Sequence, residues 1–337
     1  MIRAVAGPRR WVAALVLVAA LVLVAALVLV SAAAPAADAA PGKLFYTTGA
    51  PVPGSAQLWS VREDGGKPQL LRRRMPVTPE GGAAMLARDG KRVFCICREG
   101  EIDAVRTDGT QLRRLDTLPR DATYEVVTLG ATGAAFWVKG GKWVFGQQPG
   151  ASARKIATFS GGVVIDERVV PSPDGRRLAV VAYGCLGAAS CPTDEVESVL
   201  TLRLDGTDRR LVYQGSGLGK EIYDVAWSPN GDRLILSDGT GGESDPKGEL
   251  PVHYPRQWFL VPSDGSNPAG TVLPLPENSS SPYFSPDGNR LAFGAYLTGK
   301  LRLTISGLDG GGARTLSGAG CRNYCEFRPR VVGWAAG

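Results

Sequence analysis

Ser285-Pro286-Asp287-Gly288-Asn289-Arg290-Leu291-Ala292-Phe293 reads as a tight turn running straight into an apolar strand. Serine suits the first turn position, proline pre-sets φ at the second, and glycine suits the fourth. The arrangement recurs at Ser172-Pro173-Asp174-Gly175, before Arg176-Arg177-Leu178-Ala179-Val180-Val181, and at Ser228-Pro229-Asn230-Gly231, before Asp232-Arg233-Leu234-Ile235-Leu236. Weaker copies stand at Ala87-Arg88-Asp89-Gly90, before Lys91-Arg92-Val93-Phe94-Cys95, and at Gly130-Ala131-Thr132-Gly133, before Ala134-Ala135-Phe136-Trp137-Val138.

A second pattern alternates with the first. It is an apolar strand ending in an Asp-Gly turn, at Leu58 to Asp64-Gly65, Ile102 to Asp108-Gly109, Leu200 to Asp205-Gly206, Trp258 to Asp264-Gly265 and Leu301 to Asp309-Gly310. Asp-Gly between two strands is a hairpin signal. The turns of the first pattern, at Gly90, Gly133, Gly175, Gly231 and Gly288, lie 43, 42, 56 and 57 residues apart. A four-stranded unit recurring at about 40 to 50 residues indicates a β-propeller. No helix-period segment follows residue 40, so the expected fold class is all-β, a six-bladed propeller of four-stranded antiparallel blades over residues 41–337.

The sixth unit is assembled from both ends of the repeat region. Lys43–Thr48 reads as a second strand with no first strand before it, and Arg330 to Trp334 as a first strand with no second after it. Trp334 aligns with Trp227 and Phe284 just ahead of the turns, which assigns all three to the core. Pairing of the two segments closes the ring and removes two exposed edges.

These Ser-Pro-Asp-Gly units resemble the repeats of the TolB-type six-bladed propeller family, over about residues 43 to 337 and most closely in the last three units. The resemblance implies a periplasmic or extracellular ring acting as a binding platform. The α/β domain that precedes the propeller in TolB has no counterpart here, so TolB's role in an envelope motor complex is not carried over. Propellers of the prolyl-peptidase kind also resemble these repeats, but no hydrolase domain is expected after the closing strand.

Arg3, Arg9 and Arg10 precede an apolar run of 20 residues from Trp11 to Val30, and small residues follow through Ala40. Residues 1–40 are therefore expected to be a cleaved export signal or an uncleaved membrane anchor, with the rest of the chain outside the membrane. Without those three arginines the basic to acidic balance is 35 to 32, against 38 to 32 for the whole chain. The remaining basic residues are dispersed apart from Arg72–Arg74, which argues against nucleic acid as a partner.

Each blade places its first–second and third–fourth strand turns on one face. The opposite face carries the second–third loops and the crossovers, and length variation concentrates there. Insertions are expected from Gly184 to Ser198 in blade 4 and from Gly239 to Arg256 in blade 5, together with a crossover from Ser317 to Arg328. Aligned inner strands put Glu125, Glu167, Tyr223, Ser280 and Arg330 at one level, and Arg168, Asp224 and Ser281 at the next. With His253 and Tyr254 from the blade 5 loop, Glu125, Glu167, Arg168, Tyr223, Asp224 and Arg330 form the expected binding rim around the channel mouth. The alternative is that such residues satisfy one another and the crossover backbone.

Six cysteines in an exported chain point to disulfides. Close spacing favours Cys185 with Cys191 and Cys321 with Cys325, each pinning a loop on the binding face. Cys95 and Cys97 share one side of a strand and would distort it by pairing, so buried thiols or a bridge to another blade are expected. No Gly-x-Ser-x-Gly elbow or Gly-rich phosphate loop occurs, and the single His253 excludes any two-histidine base or metal site. The acidic stretch from Asp238 to Asp245 lacks EF-hand spacing.

The expectation is thus an exported, monomeric, non-enzymatic scaffold without metal or cofactor. It would engage an extracellular or envelope protein, a peptide or a cell-wall component through its loop face. The alternative is a propeller lyase or glycan hydrolase working with carboxylates at the channel mouth.

Overall fold

A computed structural model describes residues 42–48, 56–75, 84–98, 100–122, 126–184, 197–215, 220–240, 256–276, 279–297, 300–316 and 330–336. These build six four-stranded sheets, each with antiparallel neighbours. Strands are lettered a to d from the inner to the outer strand of each blade. Blade 1 runs Arg330–Ala335, Lys43–Thr48, Ala56–Arg62, Gln69–Met75, and blade 2 runs Ala84–Leu86, Arg92–Arg98, Glu101–Arg106, Arg113–Thr117. Blade 3 is Thr128–Leu129, Ala135–Lys139, Trp143–Gln147, Arg154–Thr158, and blade 4 is Val164–Pro171, Arg177–Tyr183, Glu197–Arg203, Arg210–Gln214. Blade 5 is Lys220–Trp227, Arg233–Thr240, Arg256–Pro262, Thr271–Leu273, and blade 6 is Ser279–Phe284, Arg290–Leu297, Lys300–Gly307, Arg314–Thr315. Among the described residues no helix is long and apolar enough to cross a membrane.

Both faces of a blade are buried, because each packs against a neighbour. Leu178, Val180 and Ala182 of strand b in blade 4 face blade 3, whereas Ala179 and Val181 face blade 5. This is why the inner strands are continuously apolar instead of alternating. Separate apolar clusters fill the seams between blades 1 and 2, 2 and 3, 3 and 4, 4 and 5, and 5 and 6, and another joins blade 6 to blade 1. Trp227, Phe284 and Trp334 are buried in these seams. The outer strands are exposed edges, and their Arg113, Arg114, Arg154, Lys155 and Arg210 are the charged residues that disfavour edge-to-edge pairing.

The turns behave as their residues dictate. Gly175, Gly231 and Gly288 N–H groups donate to the Ser172, Ser228 and Ser285 carbonyls at 2.9, 2.9 and 2.8 Å. Each serine hydroxyl then accepts from the N–H of Arg177, Arg233 or Arg290, at 3.0, 2.9 and 2.9 Å. The weak copy in blade 3 is one residue shorter, because Gly130 N–H bonds the Ala134 carbonyl where Ser172 N–H bonds that of Arg177.

Ring closure follows the expected pairing, with Leu44 opposite Trp334 and Thr47 opposite Arg330. Glu63, from the c–d turn of blade 1, accepts from Trp334 Nε1 at 3.3 Å and from Arg290 of blade 6 at 3.4 Å. The Arg290 guanidinium also lies 5.1 Å from the Trp334 ring centre. One carboxylate and one indole therefore fasten blade 6 to blade 1.

The Asp-Gly turns also hold neighbouring blades together. Gly206 has φ of 81°, and a Cβ added there would fall on the Ile156 carbonyl oxygen of blade 3. Gly150 has φ of 74° but open space around it. Gly150→Ala should cost about 1 kcal/mol of left-handed backbone strain. Gly206→Ala should cost at least about 2 kcal/mol, as strain and collision combine. Urea denaturation of the two variants measures the difference.

Candidate functional site

Two long connections leave the sheet at the same end of blades 4 and 5. Strand b of blade 4 stops at Tyr183 and strand c resumes at Glu197, so Glu197 and Ser198, expected within the insertion, belong to the sheet. Likewise Gly239, Thr240 and Arg256 of blade 5 are strand residues, with Gly239 opposite Arg256. The loops proper are residues 185–196 and 241–255, and with the crossover 317–329 they lie outside the described residues, as do Glu125, Cys185, Cys191, His253, Tyr254, Cys321 and Cys325. Glu167 lies in strand a of blade 4 with its side chain outside the description, Arg330 is exposed, and Tyr223 and Asp224 are half-buried at the start of blade 5.

Arg168 marks the polar centre at the feet of the loops. Its Nε donates to Asp166 Oδ2, and its Nη2 lies 3.6 Å from Glu197 Oε1. Glu197 is 2% exposed and accepts a further bond from the Ile222 N–H of blade 5. Tyr183, directly opposite Glu197 in the sheet, also hydrogen-bonds the carboxylate. Burial pushes the Glu197 carboxyl above its ordinary value, and the Ile222 N–H, Arg168 and Tyr183 offset only part of that. Burial also opposes the charge on Arg168, but Asp166 and Glu197 outweigh it and hold the guanidinium above its usual range.

A second buried acid crosses the same seam. Tyr213, in strand d of blade 4, donates to Asp238 Oδ2 of blade 5 at 2.7 Å. Burial, with the Asp238 carboxylate behind it, raises the Tyr213 phenol well above its ordinary value. Asp224 N–H donates to Ser237 Oγ at 3.2 Å in the neighbouring strand. The seam between blades 4 and 5 is thus apolar at depth and polar at the loop end.

Of the expected rim, Arg168 is brought into this cluster, where its own neighbours engage it, and Asp224 bonds Ser237 beside Asp238 through its N–H. Asp166, Tyr183, Glu197, Tyr213 and Asp238 were missed by the alignment of inner strands, because four of them lie on strands b to d. For Asp238 the signal was an acid closely following the apolar run Leu234-Ile235-Leu236. Among the described residues, no three His, Cys, Asp or Glu side chains converge to hold a metal ion.

The opposite face is self-contained. Asp108, Asp205 and Asp264 accept from the backbone N–H two residues on, each at 2.9 Å. Asp208 accepts from Arg177 at 2.5 Å and Arg210 at 2.8 Å, which bring its carboxyl down to about 2. Cys95, buried between blades 1 and 2, is disulfide-bonded, which corrects the buried-thiol alternative for this residue.

No model of a known protein family matches the chain, and no curated protein matches it in sequence. Among solved structures, TolB from Acinetobacter baumannii matches with a TM-score of 0.58 at 15% identity, over 87% of this chain and 66% of that one. The fold is a TolB-like six-bladed propeller. A putative TolB from Agrobacterium tumefaciens matches with a TM-score of 0.48 at 16% identity, over 82% and 88% of the two chains. An oligogalacturonate lyase in complex with manganese gives 0.44 at 14% identity, over 82% and 74%. At these identities the likeness is one of fold. The TolB-like propeller therefore takes its functional reading from its own residues.

Arg168→Met would leave Asp166 and Glu197 without their cation, and chemical denaturation should show a loss of about 3 kcal/mol or more. Glu197 has a raised pKa in the folded state, so its contribution to stability is present below the ordinary carboxylate value and declines as pH rises through the folded one. Glu197→Gln removes that decline. Its stability relative to the unsubstituted protein should therefore improve as pH rises from the ordinary carboxylate value, about 4.

Proposed function

We propose that this TolB-like propeller is an exported, non-enzymatic binding platform that engages an extracellular protein, peptide or cell-wall component through its loop face. The observation that carries this reading is the difference between the two faces. One is closed by short repeated turns whose aspartates are consumed by their own backbone and arginines. The other presents two long connections from adjacent blades, rooted on a buried polar seam that fixes where they start. Variable loops on a rigid scaffold are where binding function concentrates.

Glu197 supports a scaffold more than a catalyst. Its oxygens face Arg168, Ile222 N–H and Tyr183 in a buried seam, which leaves this acid serving the joint between blades. Residues 1–40 supply the export signal or anchor in this reading.

The test is affinity capture from an envelope extract with the intact protein and with a variant whose 241–252 segment is replaced by a short Gly-Ser link. A partner held by the first and lost by the second is expected. Equal capture by both, or none by either, would count against the loop face.

A further inference from the structure

The perimeter of the ring carries its positive charge on one side. The c–d turns and outer strands of blades 1 to 3, residues 62–75, 106–117 and 148–158, hold ten basic residues against four acidic ones, Arg72, Arg73 and Arg74 among them. The same segments of blades 4 to 6, residues 203–214, 262–273 and 307–315, hold four of each. Blades 1, 2 and 3 are neighbours in the ring, so these cations form one arc. Lys67, Arg113, Arg114, Arg154 and Lys155 are exposed along it.

The acids of the arc are tied locally. Glu63 accepts from Trp334 and Arg290, and Asp64 from Arg62 at 2.6 Å. Asp108 accepts from the Thr110 N–H and Asp116 from the Gly150 N–H of blade 3, both at 2.9 Å. Arg114 pairs with Glu101 of strand c at 3.2 Å, and Arg154 donates to the Leu204 carbonyl at 3.3 Å. An excess of cations remains after these contacts. Spread over the outer strands of three adjoining blades, it suits an extended anionic surface and not one small anion.

The chain also enters the ring on this arc. The Gly42 carbonyl accepts from the Glu63 N–H, in the c–d turn of blade 1, at 2.8 Å. Lys43 then starts its strand opposite Ala335, at the end of the sheet away from the long loops. Residues 31–42 separate the apolar run ending at Val30 from Lys43, and a segment of that length spans at most about 40 Å.

We propose that the outer edge of blades 1 to 3 rests on an anionic phospholipid surface and leaves the loop face free. An uncleaved anchor would hold the arc within reach of the bilayer, and a cleaved chain would return to it by charge alone. The proposal goes beyond the loop-face reading and does not depend on it.

The test is hydrogen exchange of the full protein with vesicles of phosphatidylcholine, and with vesicles of equal parts phosphatidylcholine and phosphatidylglycerol. An anchor inserts into both, so the comparison isolates the charge. Exchange at 69–75, 113–117 and 154–158 should slow with the anionic vesicles alone and recover in high salt, while 210–214 and 271–273 stay unchanged. Arg73→Gln, Arg113→Gln and Lys155→Gln together should abolish the slowing. Arg176→Gln, Arg203→Gln and Arg210→Gln, which remove the same charge from blade 4, should preserve it, with melting temperatures confirming that both variants fold. The inference is overturned if the anionic vesicles slow nothing, if neutral vesicles slow these strands equally, or if the two variants lose the effect alike. Stronger protection by soluble polyglutamate of equal charge would also overturn it, by assigning the arc to a soluble polyanion. Shortening 241–252 should leave the slowing intact, which separates this outcome from that of the loop face.

Discussion

Everything in this molecule depends on strand Arg330–Ala335 lying beside Lys43–Thr48. A propeller blade buries both of its faces only when it has a neighbour on each side, so an open ring would leave two apolar sheet faces in water. The cluster of Leu44, Tyr46, Val61, Ala292, Leu303, Ile305 and Trp334 exists because the ends meet. Directional interactions reinforce the apolar ones there, since Glu63 holds Trp334 and Arg290 from opposite sides of the seam. Gly333 belongs to the same constraint, because a Cβ there would occupy the space of Leu86 in blade 2.

Closure also explains why the two faces differ. Once the ring is fixed, its radius leaves little tolerance at the turns that touch neighbouring blades. The Asp-Gly turns are pressed against the preceding outer strand, as Gly109 is against Leu71, Gly206 against Ile156 and Gly265 against Leu211. The extra length of blades 4 and 5, residues 185–196 and 241–255, enters at the other end of the sheet. There a polar seam between the two blades substitutes hydrogen-bonded acids for apolar packing. Two buried carboxylates add little net stability there, but they fix the position of the strands from which both loops spring.

The fold was legible in the sequence because its turns carry their own chemistry. Ser-Pro-Asp-Gly states a turn and the strand after it, and its recurrence states the blade. Trp334, aligned with Trp227 and Phe284, marks the closing strand. The third blade was faint for a physical reason: its a–b turn is a residue shorter, and its c–d turn uses Gln148-Pro149-Gly150 in place of Asp-Gly. The seam was less legible. Strand periodicity says which inner-strand residues share a level, but the partners of Arg168 come from its own strand and from strand c. Glu197 looked like part of an insertion, because its only sequence signal is the apolar strand that follows it. The basic arc was invisible beyond Arg72–Arg74, since its other cations stay dispersed along the chain until the ring sets three outer strands in neighbouring blades.

Hydrogen exchange across a series of urea concentrations below the unfolding transition tests the closed ring most directly. The account predicts that amides of 43–48 and 330–335 exchange only with global unfolding, together with those of the inner strands of blades 4 and 5. Exchange of 330–335 through a smaller opening, with blades 4 and 5 still protected, would contradict it.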